Sequence, residues 1–209
     1  MHTTARILLV SLVALAGCSH SAAVAPTMTP MVAHVAPPTT THAQLAAHRD
    51  QLRAQMRAQL IEWLGEYAEA ATYPTDANGW PLSVFRDANG VRCPMAELIY
   101  RSGHAELVEA VVASNNALRL ADVQDGPLAA WMAESGLTRD EIIMVQGAAN
   151  IPMMVDSRSP DQVQIAAATG RVHGRLDTAA VALRDHTPDS LAALAAPATL
   201  DRDHTTARR

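Results

Sequence analysis

Large apolar residues recur at helical spacing along the first half of the chain: Leu45, Leu52, Met56, Leu60, Trp63, Leu64 and Tyr67. Arg49, Arg53, Arg57, Glu62, Glu66 and Glu69 take other positions around the same cylinder, which predicts one long amphipathic helix with a solvated charged face. Pro74 and Gly79 end it. Next, Leu82, Val84 and Phe85 precede Asp87-Ala88-Asn89-Gly90, and Val91 follows, predicting a short β-hairpin over that turn. Pro94 suits the first position of a helix that Cys93 would cap and Gly103 would stop. Leu107, Val108, Val111 and Val112 mark a second short helix ending at Asn115-Asn116. Pro127 opens a third with Leu128, Trp131 and Met132, closed by Gly136. Thr138 and Glu141 form a capping box, with Leu137 and Ile142 as its hydrophobic staple, for a last helix carrying Ile142, Ile143 and Val145. The expected fold is mainly α, a compact bundle of about five helices with one short β-hairpin, over residues 43–150.

Both flanks read differently. After Ala148 the segments that follow Ser159-Pro160-Asp161-Gln162 and Thr187-Pro188 are rich in alanine and poor in large apolar residues. Helices of that kind bury little surface against the entropy of ordering them, so 151–209 is expected to be a low-complexity tail, weakly helical or disordered. At the other end Arg6 precedes a largely apolar run of ten, Ile7 to Ala16, too short to span a bilayer and followed by small residues. Residues 1–17 therefore read as a secretory signal peptide. Ser19 to His42, made of Ala, Pro, Thr, Val and Met without apolar periodicity, reads as a flexible tether. Its reach is roughly 27 Å as a coil and about 75 Å as extended polyproline.

Leu15-Ala16-Gly17-Cys18 resembles the lipobox of bacterial lipoproteins, with Cys18 as the acylated first residue of the mature chain. The alternative is an ordinary cleaved signal followed by a chance cysteine. The resemblance implies two or three acyl chains, including palmitate, on Cys18. One myristoyl chain holds a membrane only marginally, with an association constant of about 10⁴ M⁻¹, whereas several anchor it permanently. Ser19 in place of an aspartate implies, by the Gram-negative sorting rule, the outer membrane rather than the inner one. Within the folded stretch, Tyr73-Pro74, Val84-Phe85-Arg86-Asp87, Gly90, Cys93, Gly103, Glu106-Leu107, Asn115-Asn116, Leu128, Trp131, Gly136-Leu137-Thr138 and Gln146 carry a second likeness. They resemble an uncharacterised group of bacterial exported and lipoprotein domains. The likeness covers residues 73–147. This chain departs from it at Pro94-Met95, where small apolar residues are usual, and at Val145-Gln146-Gly147, where the usual ending is missing. It implies a genuine domain and no particular activity.

Removal of residues 1–17 takes away Arg6 and no acid, leaving 15 basic against 21 acidic residues, a net charge of −6. That balance speaks against nucleic acid as a partner, since its phosphates are bound by Lys and Arg. It also speaks against a polybasic membrane patch. All 16 basic residues are arginine, which fits the codon bias of a GC-rich genome. With Cys18 acylated, Cys93 would have no intramolecular disulfide partner, and stability must come from the core.

Cys93 is the sharpest chemical candidate. A thiol at a helix N-terminus sits at the positive end of the dipole, an arrangement that cysteine hydrolases and acyltransferases use with a histidine base. His104, the nearest histidine in sequence, lies some 16 Å along the helix axis, and His173 and His186 lie in the tail. Non-disulfide cysteine is also among the most buried residue types, so a packing role is the other reading. Asp76-Ala77-Asn78-Gly79 and Asp87-Ala88-Asn89-Gly90 repeat a tetrapeptide eleven residues apart. An EF-hand loop would place glycine at position 6 and glutamate at position 12, so two tight turns fit better than a Ca²⁺ site. The histidines, including His34, His42 and His48, make no zinc pattern. Glu62, Glu66 and Glu69 share one helix rather than facing across a cleft as glycosidase carboxylates do. Trp63, Trp80 and Trp131 suit a core, with Trp80, beside Pro81, the best placed for ligand contact. No metal and no cofactor is expected. The sequence reading is thus a lipid-anchored cell-envelope module, non-enzymatic, binding an envelope protein or cell-wall partner. It predicts a buried Cys93 and an apolar groove between the short helices. The alternative is a thiol-dependent hydrolase or acyl-transfer enzyme using Cys93 as nucleophile.

Overall fold

In the computed structural model the described residues are 41–150 and 161–196. The signal peptide, Cys18 and nearly all of the tether lie outside them. Seven α-helices occupy the described residues: α1 (His42–Ala70), α2 (Pro94–Arg101), α3 (Ala105–Asn115), α4 (Gly126–Glu134), α5 (Arg139–Ala148), α6 (Gln162–Asp185) and α7 (Thr187–Ala195). The first five stand where the apolar spacing placed them, and their ends carry the expected signals. Cys93 is the N-cap of α2, Thr138 and Glu141 close a capping box on α5, and Gly103 and Gly136 take positive φ just past α2 and α4.

The expected tail is corrected for residues 162–195. Asp161 and Gln164 make a capping box, and Ala168, Val172, Leu176, Ala179, Ala180 and Leu183 form a buried stripe on α6. This helix packs on α1 and α5, and α7 packs on α1. Alanines that bury little surface alone let α6 approach closely, so its three large residues reach the common core. Most helical stability in proteins comes from such tertiary packing.

The β-hairpin is also corrected. Among the described residues there is no β-strand, only two isolated antiparallel bridges, Thr75 to Pro81 and Arg86 to Arg92. Around the second bridge, Asp87 N–H donates to Val91 O (2.9 Å) and Cys93 N–H to Phe85 O (2.9 Å). The ladder stops because Phe85 N–H donates instead to Asn116 O (2.7 Å), while Cys93 turns into α2 and Pro94 has no N–H to give.

The repeated tetrapeptide is a repeated structure. Asp76 Oδ1 accepts from the N–H groups of Asn78 and Trp80, both at 2.8 Å. Asp87 Oδ1 accepts in the same register from Asn89 and Val91, both at 2.9 Å. Gly79 and Gly90 close the two loops at φ of +85° and +84°, a region open to glycine at little cost. Asp87 Oδ2 also accepts from Thr75 N–H (3.0 Å), joining the loops to each other. Two side-chain amides then stand in for peptide groups. Asn116 accepts from Arg86 N–H (3.0 Å) and donates to Arg86 O (2.8 Å). Gln146 accepts from Leu120 N–H (2.8 Å) and donates to Leu118 O (2.9 Å).

One charged group sits inside. Arg57, expected on the solvated face, is fully buried, and its five N–H bonds are all used. Two go to Glu141 (2.7 and 2.8 Å), and the others to Gly136 O (3.1 Å), Leu183 O (2.7 Å) and Thr187 Oγ1 (3.1 Å). Glu141 also accepts from Thr138 N–H (2.7 Å) and Ser190 Oγ (2.7 Å), so one ion pair ties α1, α5, α6 and α7 together.

Candidate functional site

An open groove of about 750 Å³ runs along α1, walled by the end of α2 with its turn, Arg101–His104, and by the end of α4, Trp131–Ser135. Its floor comes from α1: Arg49, Leu52, Met56, Gln59 and Trp63. The apolar stripe read from the sequence therefore divides. Leu60, Leu64 and Tyr67 enter the core, whereas Leu45 and Leu52 remain 54% and 50% exposed. Met56 and Trp63 are partly buried against the core edge.

The walls are rigidly made. Gly103, at φ +89°, reverses the chain after α2. Ser102 Oγ donates to Ile99 O (2.8 Å) and accepts from Trp131 Nε1 (2.9 Å), tying the α2 turn to α4. His104 Nδ1 lies 3.3 Å from that Oγ and 3.1 Å from Ser102 O. The contact to the carbonyl requires Nδ1 to carry the proton, and the hydroxyl proton is already directed at Ile99 O. Ser102 and His104 are thus a helix end, not a nucleophile with its base. Arg53 donates to Ala133 O (3.2 Å) and Leu194 O (3.1 Å), at the C-terminal ends of α4 and α7. Arg101 pairs with Glu66 (2.7 Å) and stacks over Trp63, 5.4 Å from the ring centroid.

Cys93 lies elsewhere, on a smaller cavity of about 230 Å³ with Phe85, Leu118 and Gln146. It is 5% exposed, and its sulfur accepts from Ala96 N–H at 3.5 Å. Burial pushes the thiol up to about 11, against the opposing pull of the backbone amides of Ala96, Met95 and Cys93 itself. Burial outweighs the helix end, leaving the sulfur a thiol at neutral pH. Among the described residues no histidine is hydrogen-bonded to it. His104 is at the groove, His173 Nδ1 donates to Ala68 O (3.0 Å), and His186 joins α6 to α7.

The remaining candidates take structural places. Trp80 takes the core place expected of the tryptophans rather than the ligand-contact position: it is buried, its N–H donates to Asp76 Oδ1, and its Nε1 has no partner among the described residues. Trp131 is buried too and stands in the groove's wall, while the partly buried Trp63 forms part of its floor. Glu62 and Glu66 are exposed, bonded to Gln59 (2.9 Å) and Arg101. Among the described residues no three His, Cys, Asp or Glu side chains converge to hold a metal ion, and no helix is long and apolar enough to cross a membrane. The groove lies between α1 and the ends of α2 and α4, a helix-end arrangement that apolar periodicity does not display. The readable signal was the spacing of seven, four and seven residues between Leu45, Leu52, Met56 and Trp63, which also fits a core helix.

No protein-family model, no curated protein and no solved structure matches this chain.

Proposed function

We propose that this chain is a bacterial lipoprotein, acylated at Cys18 and held on the outer membrane of a Gram-negative envelope, whose helical domain is a non-enzymatic binding module. The observation that carries the binding reading is the groove along α1. Leu52 and Trp63 are presented there on a floor with no catalytic set around it. Leu52, Met56 and Trp63 make one continuous apolar strip along a groove, and a groove of that kind is a recurring docking surface for an amphipathic helix. The buried, proton-retaining Cys93 supports the same reading over a thiol-dependent enzyme. The partner belongs to the envelope, and the acidic net charge of the chain argues against nucleic acid.

The test uses three variants in cells. Incorporation of an alkyne fatty acid is expected in the wild-type chain and lost in Cys18→Ser; equal labelling of both would remove the anchor. A photocrosslinking residue at position 52 is expected to trap a discrete adduct, which Met56→Asp abolishes. An adduct-free position 52 would remove the groove as a binding surface.

A further inference from the structure

The floor of the groove has a regular order. Leu45, Arg49, Leu52, Met56, Gln59 and Trp63 follow one another at alternating spacings of four and three residues, the a/d pattern of a coiled-coil seam. At 100° per residue this seam runs about 100° around α1 from the core stripe of Arg57, Leu60, Leu64 and Ala68. One flank, with Ala46, Arg53 and Leu60, faces the body of the domain. The other, with His48, Gln55 and Glu62, is exposed.

The seam is also self-complementary. Reversed about Ala54, it places Leu45 opposite Trp63, Arg49 opposite Gln59, and Leu52 opposite Met56, so each residue meets one that fits it. Charge follows the same symmetry. His48 and Arg49 mark the N-terminal half of the exposed surface and Glu62 the C-terminal half, where Glu66 is already paired with Arg101. An antiparallel copy brings Glu62 of the partner subunit within one turn of Arg49, about 4.5 Å along the axis. A parallel copy would set Arg49 against Arg49 of the partner subunit and Glu62 against its own kind.

We infer that the occupant of the groove is a second copy of this chain, docked through α1 as an antiparallel two-fold dimer. This rests on the reading of the groove as a binding surface and names its partner. Residues 42–52 of each copy, which are mostly exposed within their own chain, lie along residues 56–66 of the other. A two-fold axis requires the same patch on both subunits, and this seam meets that condition by its own sequence. The exposed N-terminal half of α1 is then a projecting arm rather than an unsupported helix end.

The experiment uses the full-length chain in its native membrane with a short bis-maleimide. The wild-type chain, with Cys18 and the buried Cys93, sets the background. Gln55→Cys lies beside the axis and is expected to give a dimer about ten-fold above background. Leu45→Cys is expected to stay at background by itself, because its two copies stand about 27 Å apart, yet to form the dimer when mixed with Trp63→Cys. Adding Leu52→Glu to Gln55→Cys removes apolar burial twice per dimer and is expected to lower the yield about ten-fold or more. Gln55→Cys and Leu45→Cys are changes at exposed positions, so far-ultraviolet circular dichroism should match wild type. Self-linking of Leu45→Cys would establish a parallel pair and overturn the proposal. Adducts of Gln55→Cys with a different protein, without dimer, would overturn it while leaving the groove a binding surface. No adduct of any kind would overturn both.

Discussion

Replacing Arg57 with methionine keeps an unbranched apolar stem but removes the guanidinium, and leaves Glu141 buried without its cation. In the native protein the guanidinium places all five N–H bonds, and the four acceptor positions of Glu141 are filled by Arg57 (twice), Thr138 N–H and Ser190 Oγ. The side chains are 0% and 10% exposed, so solvent cannot replace what is lost. Breaking one side of a buried pair costs about 3–5 kcal/mol, a large share of a typical domain stability of about 5–15 kcal/mol. With a urea m-value of about 2 kcal/mol/M, the unfolding midpoint of Arg57→Met should fall by about 2 M at pH 7.

Acid reads the same group from the other side. Burial alone would raise the Glu141 carboxyl, but the bonds from Arg57, Thr138 N–H and Ser190 together hold it below its ordinary value of 4.5. A carboxyl lowered in the folded state contributes stability that is complete above the ordinary value and disappears as pH falls through the folded one. The wild-type protein should therefore lose stability below about pH 4.5, and Arg57→Met should lose less over that interval because protonation relieves its stranded charge. The double variant Arg57→Met/Glu141→Leu should be less damaged than the sum of the singles, with a coupling of about 0.5–3 kcal/mol. A midpoint shift under about 0.5 M for Arg57→Met, or additive single effects, would show that the pair is solvated and the reasoning wrong.

Gly136→Ala forces a Cβ onto the backbone carbonyl of Arg53, with Arg57 Cβ 3.0 Å away, at a φ of +76°. The left-handed backbone costs about 1–2 kcal/mol and the overlap about 1–3 more, so thermal unfolding should shift down by several degrees; an unchanged transition would mean that α4 and α1 are not in contact there. Asp87→Ala removes three accepted N–H bonds from a buried carboxylate, and Asp76→Ala removes two from a more exposed one. The first should cost about 2–4 kcal/mol and the second about 1–2 by urea titration, and equal costs would refute the ranking. Iodoacetamide should label Cys93 only slowly below pH 9 until denaturant is added, because burial raises its thiol to about 11; rapid native labelling persisting below pH 7 would reinstate the thiol-dependent enzyme.

Helices α1 to α5 were legible because their signals are local. A capping residue, a proline at the first position, a glycine past the end and a run of apolar side chains act within one or two turns, so Cys93, Thr138 and Gly136 announce themselves. The twin Asp-Ala-Asn-Gly loops were legible for the same reason. The hairpin was misread because its outer hydrogen bonds are taken by Asn116, thirty residues onward, and no local pattern records that competitor. Helices α6 and α7 were misjudged because burial per residue was counted one helix at a time. Their packing depends on how closely alanine lets two helices approach, which is a property of the pair.

Local order along the chain, then, was determined by the sequence alone, since helix starts, stops and tight turns are decided by backbone conformation and neighbours a few residues away. What tertiary structure decided was the role of each face. Arg57 and Glu62 look alike in the sequence, yet one is the centre of the core and the other is in water. Leu52 and Leu60 look alike too, yet one lines the open groove and the other is fully buried. The difference is set by α6, with α2 and α7, packing on α1 and leaving the adjacent side uncovered. Burial is a relation between distant segments, and periodicity along one helix carries no record of which neighbours will come.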